Sequence, residues 1–326
     1  MTDRGSCIIC GRSDVKLIFE GRDRLTRAEN KFSVVKCQNC GLIYTLPSVT
    51  PEEIKEYYPD KYYGDVKDKT SLEISKFEKL FSAYYSKLLW RTLSENRGCS
   101  IFLLPFYRYR NRCFPYKDKP GRLLDVGCGS GRLLFEQKRL GWEVFGVELG
   151  EKAASYAREV RSLNVITGEL DDANHENNFF DVVNLNHVLE HLIDPVVELK
   201  KIYRILKQGG LLVLRVPNYS KVEIAIFGKH WRAYDLPRHR FHFNKDTVSE
   251  ILLKADLKPV KIIYALHVNH MILSVRDILE DRKAPVWMTN FLSVENKICR
   301  GIFLPLGFLL RLIRQSSEML VYAEKE

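Results

Sequence analysis

Leu123-Leu124-Asp125-Val126-Gly127-Cys128-Gly129-Ser130-Gly131 decides how this chain is read. Its first four residues, apolar apart from Asp125, predict a buried strand. The three glycines predict a tight turn, with a helix starting near Arg132. Glycine here lets a ligand approach the backbone where a Cβ would clash. A dinucleotide fingerprint, G-x-G-x-x-G, would put its third glycine at position 132, where this chain has arginine. The glycine comes one residue earlier, giving G-x-G-x-G.

Downstream, strand and helix signals alternate. A helix over 132–140 leads into Trp142–Glu148, read as a second strand that ends in an acid. Glu148 stands 17 residues after Gly131, where the next strand of a βαβ unit should end. An acid there can hydrogen-bond both ribose hydroxyls of an adenosine. Further strands are expected at Asn164–Thr167, Phe180–Leu185, Gly210–Val216 and Leu257–Ala265, with an apolar strand at 318–324. A helix over 245–255 is expected, capped by Asp246. The fold class is α/β, a doubly wound Rossmann-like sheet of seven strands that binds ligands at strand C-terminal ends. The other reading of the glycines is a βα turn with no ligand.

Basic residues exceed acidic ones, 51 to 41, for a net charge of +10. That balance suits nucleic acid, an anionic membrane surface or a phosphorylated substrate, and equally a plain solvated surface. No run of 18 apolar residues appears, and the first residues lack the apolar core of a signal peptide. A cytoplasmic protein with reduced thiols is expected.

Two C-x-x-C pairs, Cys7/Cys10 and Cys37/Cys40, are each followed by glycine. Four thiolates so paired suit tetrahedral Zn²⁺. The 26 residues between the pairs leave room for one or two hairpins. The alternatives are ordinary reduced thiols or a redox pair. Cys99, Cys113, Cys128 and Cys299 show no pairing pattern, and Cys128 is expected to pack inside the glycine turn.

The expected organisation is a ribbon at 1–46, a helical linker and lid at 47–120 with a helix over 71–95, and an α/β domain at 121–326. That domain carries a helical insertion at about 266–316. Within it, 298–314 is apolar nearly all round and flanked by Lys297, Arg300, Arg311 and Arg314. It is too short to span a bilayer. It would lie in an anionic interface at the inner face of the membrane, or pack as a core or dimer helix.

The two C-x-x-C-G knuckles, LLDVGCGSG, HVLEHLIDP, LKQGGLLVLRVPN and HWRAYDLPRHRFHF together resemble class I S-adenosylmethionine-dependent methyltransferases. The likeness is to a bacterial group with an N-terminal zinc ribbon, similar in core to ubiquinone-pathway O-methyltransferases and to sugar methyltransferases. It implies an antiparallel last strand. It implies that Gly127, Cys128, Gly129 and Gly131 pass the methionine moiety, with Asp125 ordering the loop or the cofactor's amino group. Glu148 would take the ribose, Gly168, Glu169 and Leu170 the adenine, and Asn186 and His187 would border the methyl group. Glu190 and His191 match a divalent-metal position of the ubiquinone-pathway enzymes, although His187 replaces their first acid. Packing of His191 and a salt bridge of Glu190 is the favoured alternative.

In this fold the loop after the fifth strand faces the methyl group. Its His230, Trp231, Tyr234, Arg238, His239, Arg240 and His242 would form an acceptor pocket, with His239 or His242 as base. The alternative is that these histidines order the loop. Deoxysugar C-methyltransferases carry a further large domain for which this chain is too short, which weighs against sugar C-methylation. The leading function is methylation of a small-molecule or lipid-linked acceptor, a sugar or quinone-like oxygen. The alternatives are an RNA or protein methyltransferase that binds its polymer through the ribbon and basic surface, and a non-catalytic scaffold. Asn186-His187-Val188-Leu189 is no Asn-Pro-Pro-Tyr tetrad, which argues against methylation of exocyclic base amines.

Overall fold

The computed structural model describes residues 6–58 and 120–326. The expected helix over 71–95 and most of the 47–120 linker lie outside the described residues, as do Cys99 and Cys113. Three strands come first: β1 (Val15–Arg22), β2 (Lys31–Cys37) and β3 (Ile43–Leu46). The α/β succession follows: β4 (Arg122–Val126), α1 (Arg132–Arg139), β5 (Glu143–Glu148), α2 (Glu151–Glu159), β6 (Asn164–Thr167), β7 (Phe180–Asn186), α3 (Pro195–Ile205) and β8 (Leu206–Pro217). After α4 (Lys221–Phe227) come β9 (Phe241–His242), α5 (Lys245–Leu253) and β10 (Leu257–Tyr264). The expected insertion is three helices, α6 (Asn269–Asp281), α7 (Val286–Phe291) and α8 (Lys297–Leu312), before β11 (Glu318–Lys325).

The seven-stranded sheet has the order β10-β11-β8-β7-β4-β5-β6. β4 pairs in parallel with β5 on one side and β7 on the other, so the strand order reverses there. Such a reversal opens a crevice at strand C-terminal ends. β11 runs antiparallel to β10, as expected. Four of the five residues of β4 are buried, which is why its sequence reads as a continuous apolar run.

The chain divides into two compact units. One comprises 63–185 and 204–213, and its core includes Leu123, Leu134, Ala154, Phe180 and Val183. The other comprises 1–62, 186–203 and 214–326. This differs from the expected three-part division, because residues 1–46 do not stand apart. The two-residue β9 pairs antiparallel with β3, Ile43 opposite His242 and Tyr44 opposite Phe241, making a four-stranded sheet β1-β2-β3-β9. One apolar cluster then joins Phe32, Val34 and Ile43 to Trp231, Met271 and Leu310. At α5 the cap is Asn244, whose side chain accepts from the amides of Asp246 and Thr247; Asp246 itself lies in the first turn.

Candidate active site

In the unit built on β4–β7, the glycine turn has Gly127, Gly129 and Gly131 at φ 70°, 53° and 74°, in the left-handed region that favours glycine. The amides of Gly127 and Cys128 donate to Val147 O at 2.8 and 3.1 Å, tying the turn to β5. Gly131 is also required by space, since a Cβ there would lie 2.5 Å from Leu163 Cδ1. A Cβ on Gly129 would meet nothing within 4 Å, so this part of the turn borders open space. The Glu148 carboxylate closes the turn. Its Oε2 accepts from Gly129 N at 2.7 Å and its Oε1 from Gly150 N at 2.8 Å. Each oxygen retains a second lone-pair direction for a hydroxyl.

Asp125 is buried and accepts from Asn184 Nδ2 at 2.6 Å. Burial pushes its carboxyl up to about 7, against the Asn184 hydrogen bond and reinforced by the Glu148 charge. Asp125 is thereby tied to the neighbouring strand β7. The Cys128 thiol, expected inside the glycine turn, is buried and lies against β5 at Gly146. At the end of β6, Gly168 N donates to Glu148 O at 3.0 Å and Glu169 N donates to Asp172 Oδ2 at 2.7 Å. Leu170 is buried. The expected cofactor residues from Asp125 to Leu170 thus gather at the C-terminal ends of β4, β5 and β6.

Asn186 and His187 belong to the other unit. His187 has φ 56°, an uncommon conformation for a non-glycine residue. Its Nδ1 lies 3.0 Å from Glu190 Oε1 and its Nε2 3.3 Å from Glu318 Oε2. Burial lowers the imidazole's pKa, but the two carboxylates outweigh it and raise it to about 10. His187, expected to border the methyl group and to be a candidate catalytic residue, is thus held between two carboxylates that favour its protonated form. Glu318, the first residue of β11, was not singled out in the sequence because a polar residue at a strand start carries no signal.

Glu190 is fully buried; its Oε2 accepts no hydrogen bond among the described residues. A carboxylate oxygen of Glu190 and one ring nitrogen each from His191 and His239 lie within 4.8 Å of one another. His191 Nδ1 is 3.0 Å from Arg238 O and His239 Nδ1 is 2.7 Å from Ala233 O. A carbonyl can only accept, so each Nδ1 donates, and in a neutral ring that leaves the lone pair on Nε2. Burial, then the neighbouring His239, lowers the His191 pKa to about 4. A neutral imidazole oriented by a backbone carbonyl is a metal ligand's usual state. Glu190 and His191 are neighbours in sequence; His239, 48 residues later, joins them through the fold.

His242 is buried, and burial and His239 lower its pKa to about 3. Thr45 Oγ1 donates to His239 O at 2.9 Å, so at 3.2 Å it accepts from His242 Nε2. His242 orders the β3–β9 junction. The arginines expected to face an anionic acceptor are also committed internally. Arg238 Nη2 lies 2.8 Å from both Asp23 Oδ1 and Asp235 Oδ1, and its Nη1 donates to Tyr57 O at 2.7 Å. Despite burial, the Arg238 guanidinium holds Asp235 well below the usual carboxylate range. Arg240 donates to Ser48 Oγ and Val49 O at 2.6 and 2.5 Å.

The same unit contains a cleft of about 550 Å³ lined by Phe19, Arg24, Trp231, Tyr234 and Asp277, among others. Trp231 Nε1 donates to Glu223 Oε2 at 3.0 Å, which fixes the ring. Only the Trp231–Leu236 part of the expected acceptor segment lines this cleft; the N-terminal β1 region supplies the facing wall. His230 pairs with Asp281 at 2.9 Å.

The sulfurs of Cys7, Cys10, Cys37 and Cys40 lie within 4.8 Å of one another, with Cys7–Cys40 at 3.4 Å and Cys10–Cys37 at 3.5 Å. A tetrahedral zinc with Zn–S bonds of ~2.3 Å needs sulfurs ~3.8 Å apart. Both knuckles close the same way, Gly11 N donating to Cys7 O and Gly41 N to Cys37 O, with both glycines at positive φ.

A family described as a methyltransferase domain matches residues 94–262. A ubiquinone biosynthesis O-methyltransferase of Cereibacter sphaeroides (strain ATCC 17025 / ATH 2.4.3) is 32% identical over 206 residues, 58% of this chain and 83% of that one. A ubiquinone biosynthesis O-methyltransferase of Xanthomonas oryzae pv. oryzae is 32% identical over 149 residues, 43% of this chain and 62% of its own. Among solved structures, a SAM-dependent methyltransferase from Archaeoglobus fulgidus covers 77% of this chain and all of its own, at 21% identity and a TM-score of 0.44.

Proposed function

The chain belongs to the methyltransferase-domain family and is a class I S-adenosylmethionine-dependent methyltransferase; from that premise we propose that its acceptor is a hydroxyl on a quinone-like ring, free or lipid-linked. The cofactor supplies a methyl group already activated on a sulfonium. The open space at Gly129 and the free lone pairs of Glu148 fit it. In this reading Glu148 holds the ribose hydroxyls, the backbone of Gly168–Leu170 borders the adenine, and the Gly127–Gly131 turn accommodates the methionine moiety. The chain's remaining work is to hold the acceptor oxygen in line with the methyl carbon.

One observation carries the acceptor reading: the buried Glu190–His191–His239 cluster, whose three potential ligand atoms lie within 4.8 Å of one another, with Glu190 Oε2 accepting no hydrogen bond among the described residues. An imidazole lowered to about 4, as at His191, is a poor base at neutral pH and a good ligand. These residues would hold a divalent cation, which lowers the pKa of a bound hydroxyl. The relatives named for ubiquinone biosynthesis support the same acceptor class. Manganese titration of the protein by calorimetry, with and without His239→Ala, tests the site. Turnover of a catechol with and without chelator tests the chemistry. No manganese binding and chelator-insensitive turnover would refute the reading.

A sugar hydroxyl is the second reading, favoured by the cleft, whose aromatic and carboxylate walls suit a polyhydroxylated ring. We also infer one structural Zn²⁺ on Cys7, Cys10, Cys37 and Cys40, supported by the compact four-sulfur arrangement.

A further inference from the structure

We propose that α7 and α8 form a docking surface for an anionic lipid bilayer. α8 is apolar on two faces. Cys299, Gly307 and Leu310 are buried, and a Cβ on Gly307 would lie 2.8 Å from Val268 Cγ1, so that face is seated tightly. The other face carries Ile298, Ile302, Leu306, Leu309 and Ile313, all exposed, with Ile298 at 71% and Ile302 at 62%. Their spacing of three and four residues keeps them on one side of the helix. α7 adds Val286 and Trp287, each 71% exposed. Exposed apolar side chains scattered singly are ordinary; a stripe along a whole helix marks a partner.

The charge around the stripe identifies that partner. Residues 282–314 contain six cations (Arg282, Lys283, Lys297, Arg300, Arg311, Arg314) and one acid, Glu295. Lys297 and Arg314 are exposed at the two ends of the stripe. A second copy of the chain would bring these like charges together around a two-fold axis. An anionic bilayer supplies hydrocarbon for the stripe and phosphates for its ends. Sixteen residues of helix measure ~24 Å, suited to lying in the interface. Among the described residues no helix is long and apolar enough to cross a membrane. The surface is independent of the acceptor reading.

The test uses the whole chain and phosphatidylcholine vesicles with or without about a quarter phosphatidylglycerol, at about 0.1 M and about 0.5 M salt. Flotation should show binding to the anionic vesicles, weakened by salt. The pair Ile302→Ser and Leu309→Ser should weaken it about tenfold or more. Equal affinity of wild type and the double variant for S-adenosylhomocysteine controls for folding. Trp287 should shift its emission to the blue on binding, a shift lost in Trp287→Phe. Failure to bind anionic vesicles, or binding unaffected by the serine pair, overturns the proposal. So does a dimer in sedimentation that the serine pair dissolves while vesicles go unbound.

Discussion

Replacing Glu148 with alanine tests the cofactor site at its most informative atom pair. The wild-type carboxylate accepts backbone amides at 2.7 and 2.8 Å. The proposed ribose hydroxyls would add bonds to the same two oxygens. A hydrogen bond to a charged group contributes about 1.5–3 kcal/mol, so loss of the ribose contact should weaken S-adenosylhomocysteine binding by roughly 10- to 150-fold. Loss of the two amide contacts loosens the turn and adds to this. A 2′,3′-dideoxy cofactor analogue separates the two effects in calorimetry. Wild type should lose affinity on going to the analogue, and Glu148→Ala should not. If both proteins bind both ligands with equal affinity, Glu148 is not the ribose acceptor. If the analogue costs the variant as much as the wild type, the carboxylate only braces the loop.

Four further outcomes are expected. Gly131→Ala should destabilise the protein by about 1–3 kcal/mol in urea unfolding, through its left-handed φ and the Leu163 clash; Gly129→Ala, with open space, should show the strain alone. His187→Gln should lower the melting temperature most at low pH. The folded-state value of about 10 lies above the ordinary 6.5, so the pairing stabilises fully below about 6.5 and fades as pH rises toward 10. A melting difference that instead grows with pH would contradict this. Arg238→Met leaves Asp23 and Asp235 without their buried guanidinium and should cost about 3–5 kcal/mol in the same unfolding assay. Metal analysis should find about one zinc per chain, and its removal should release the four thiols to a colorimetric reagent.

The α/β half was readable because each of its strands is locally complete. Leu123–Val126 and Phe180–Leu185 are short, mostly apolar and mostly buried segments that need no distant partner to be recognised, and the glycine turn encodes its own geometry. The other unit was less readable for a physical reason. β9 is two residues long, and nothing local in Phe241–His242 says that it pairs with Ile43–Tyr44. Arg238 and Arg240 read as solvent- or substrate-facing cations, whereas their partners Asp23, Ser48 and Val49 lie about 190 residues away or more in sequence. The histidine cluster was half legible. Glu190 and His191 are neighbours, but His239 reaches them through tertiary structure, as Glu318 reaches His187. At α5 two residues separated by one position, Asn244 and Asp246, both suit a cap, and only geometry chooses.

The β3–β9 junction also bears on how the protein is made. Thr45 and His242, 197 residues apart, meet there. At a synthesis rate of about 5–20 residues per second, the first strands wait roughly 10–40 seconds for their fourth. During that time β3 offers an unpaired edge, and the apolar side chains of β2 and β3 lack the Trp231 and Met271 that later cover them. Chaperone engagement of the nascent chain should therefore persist until translation has passed His242.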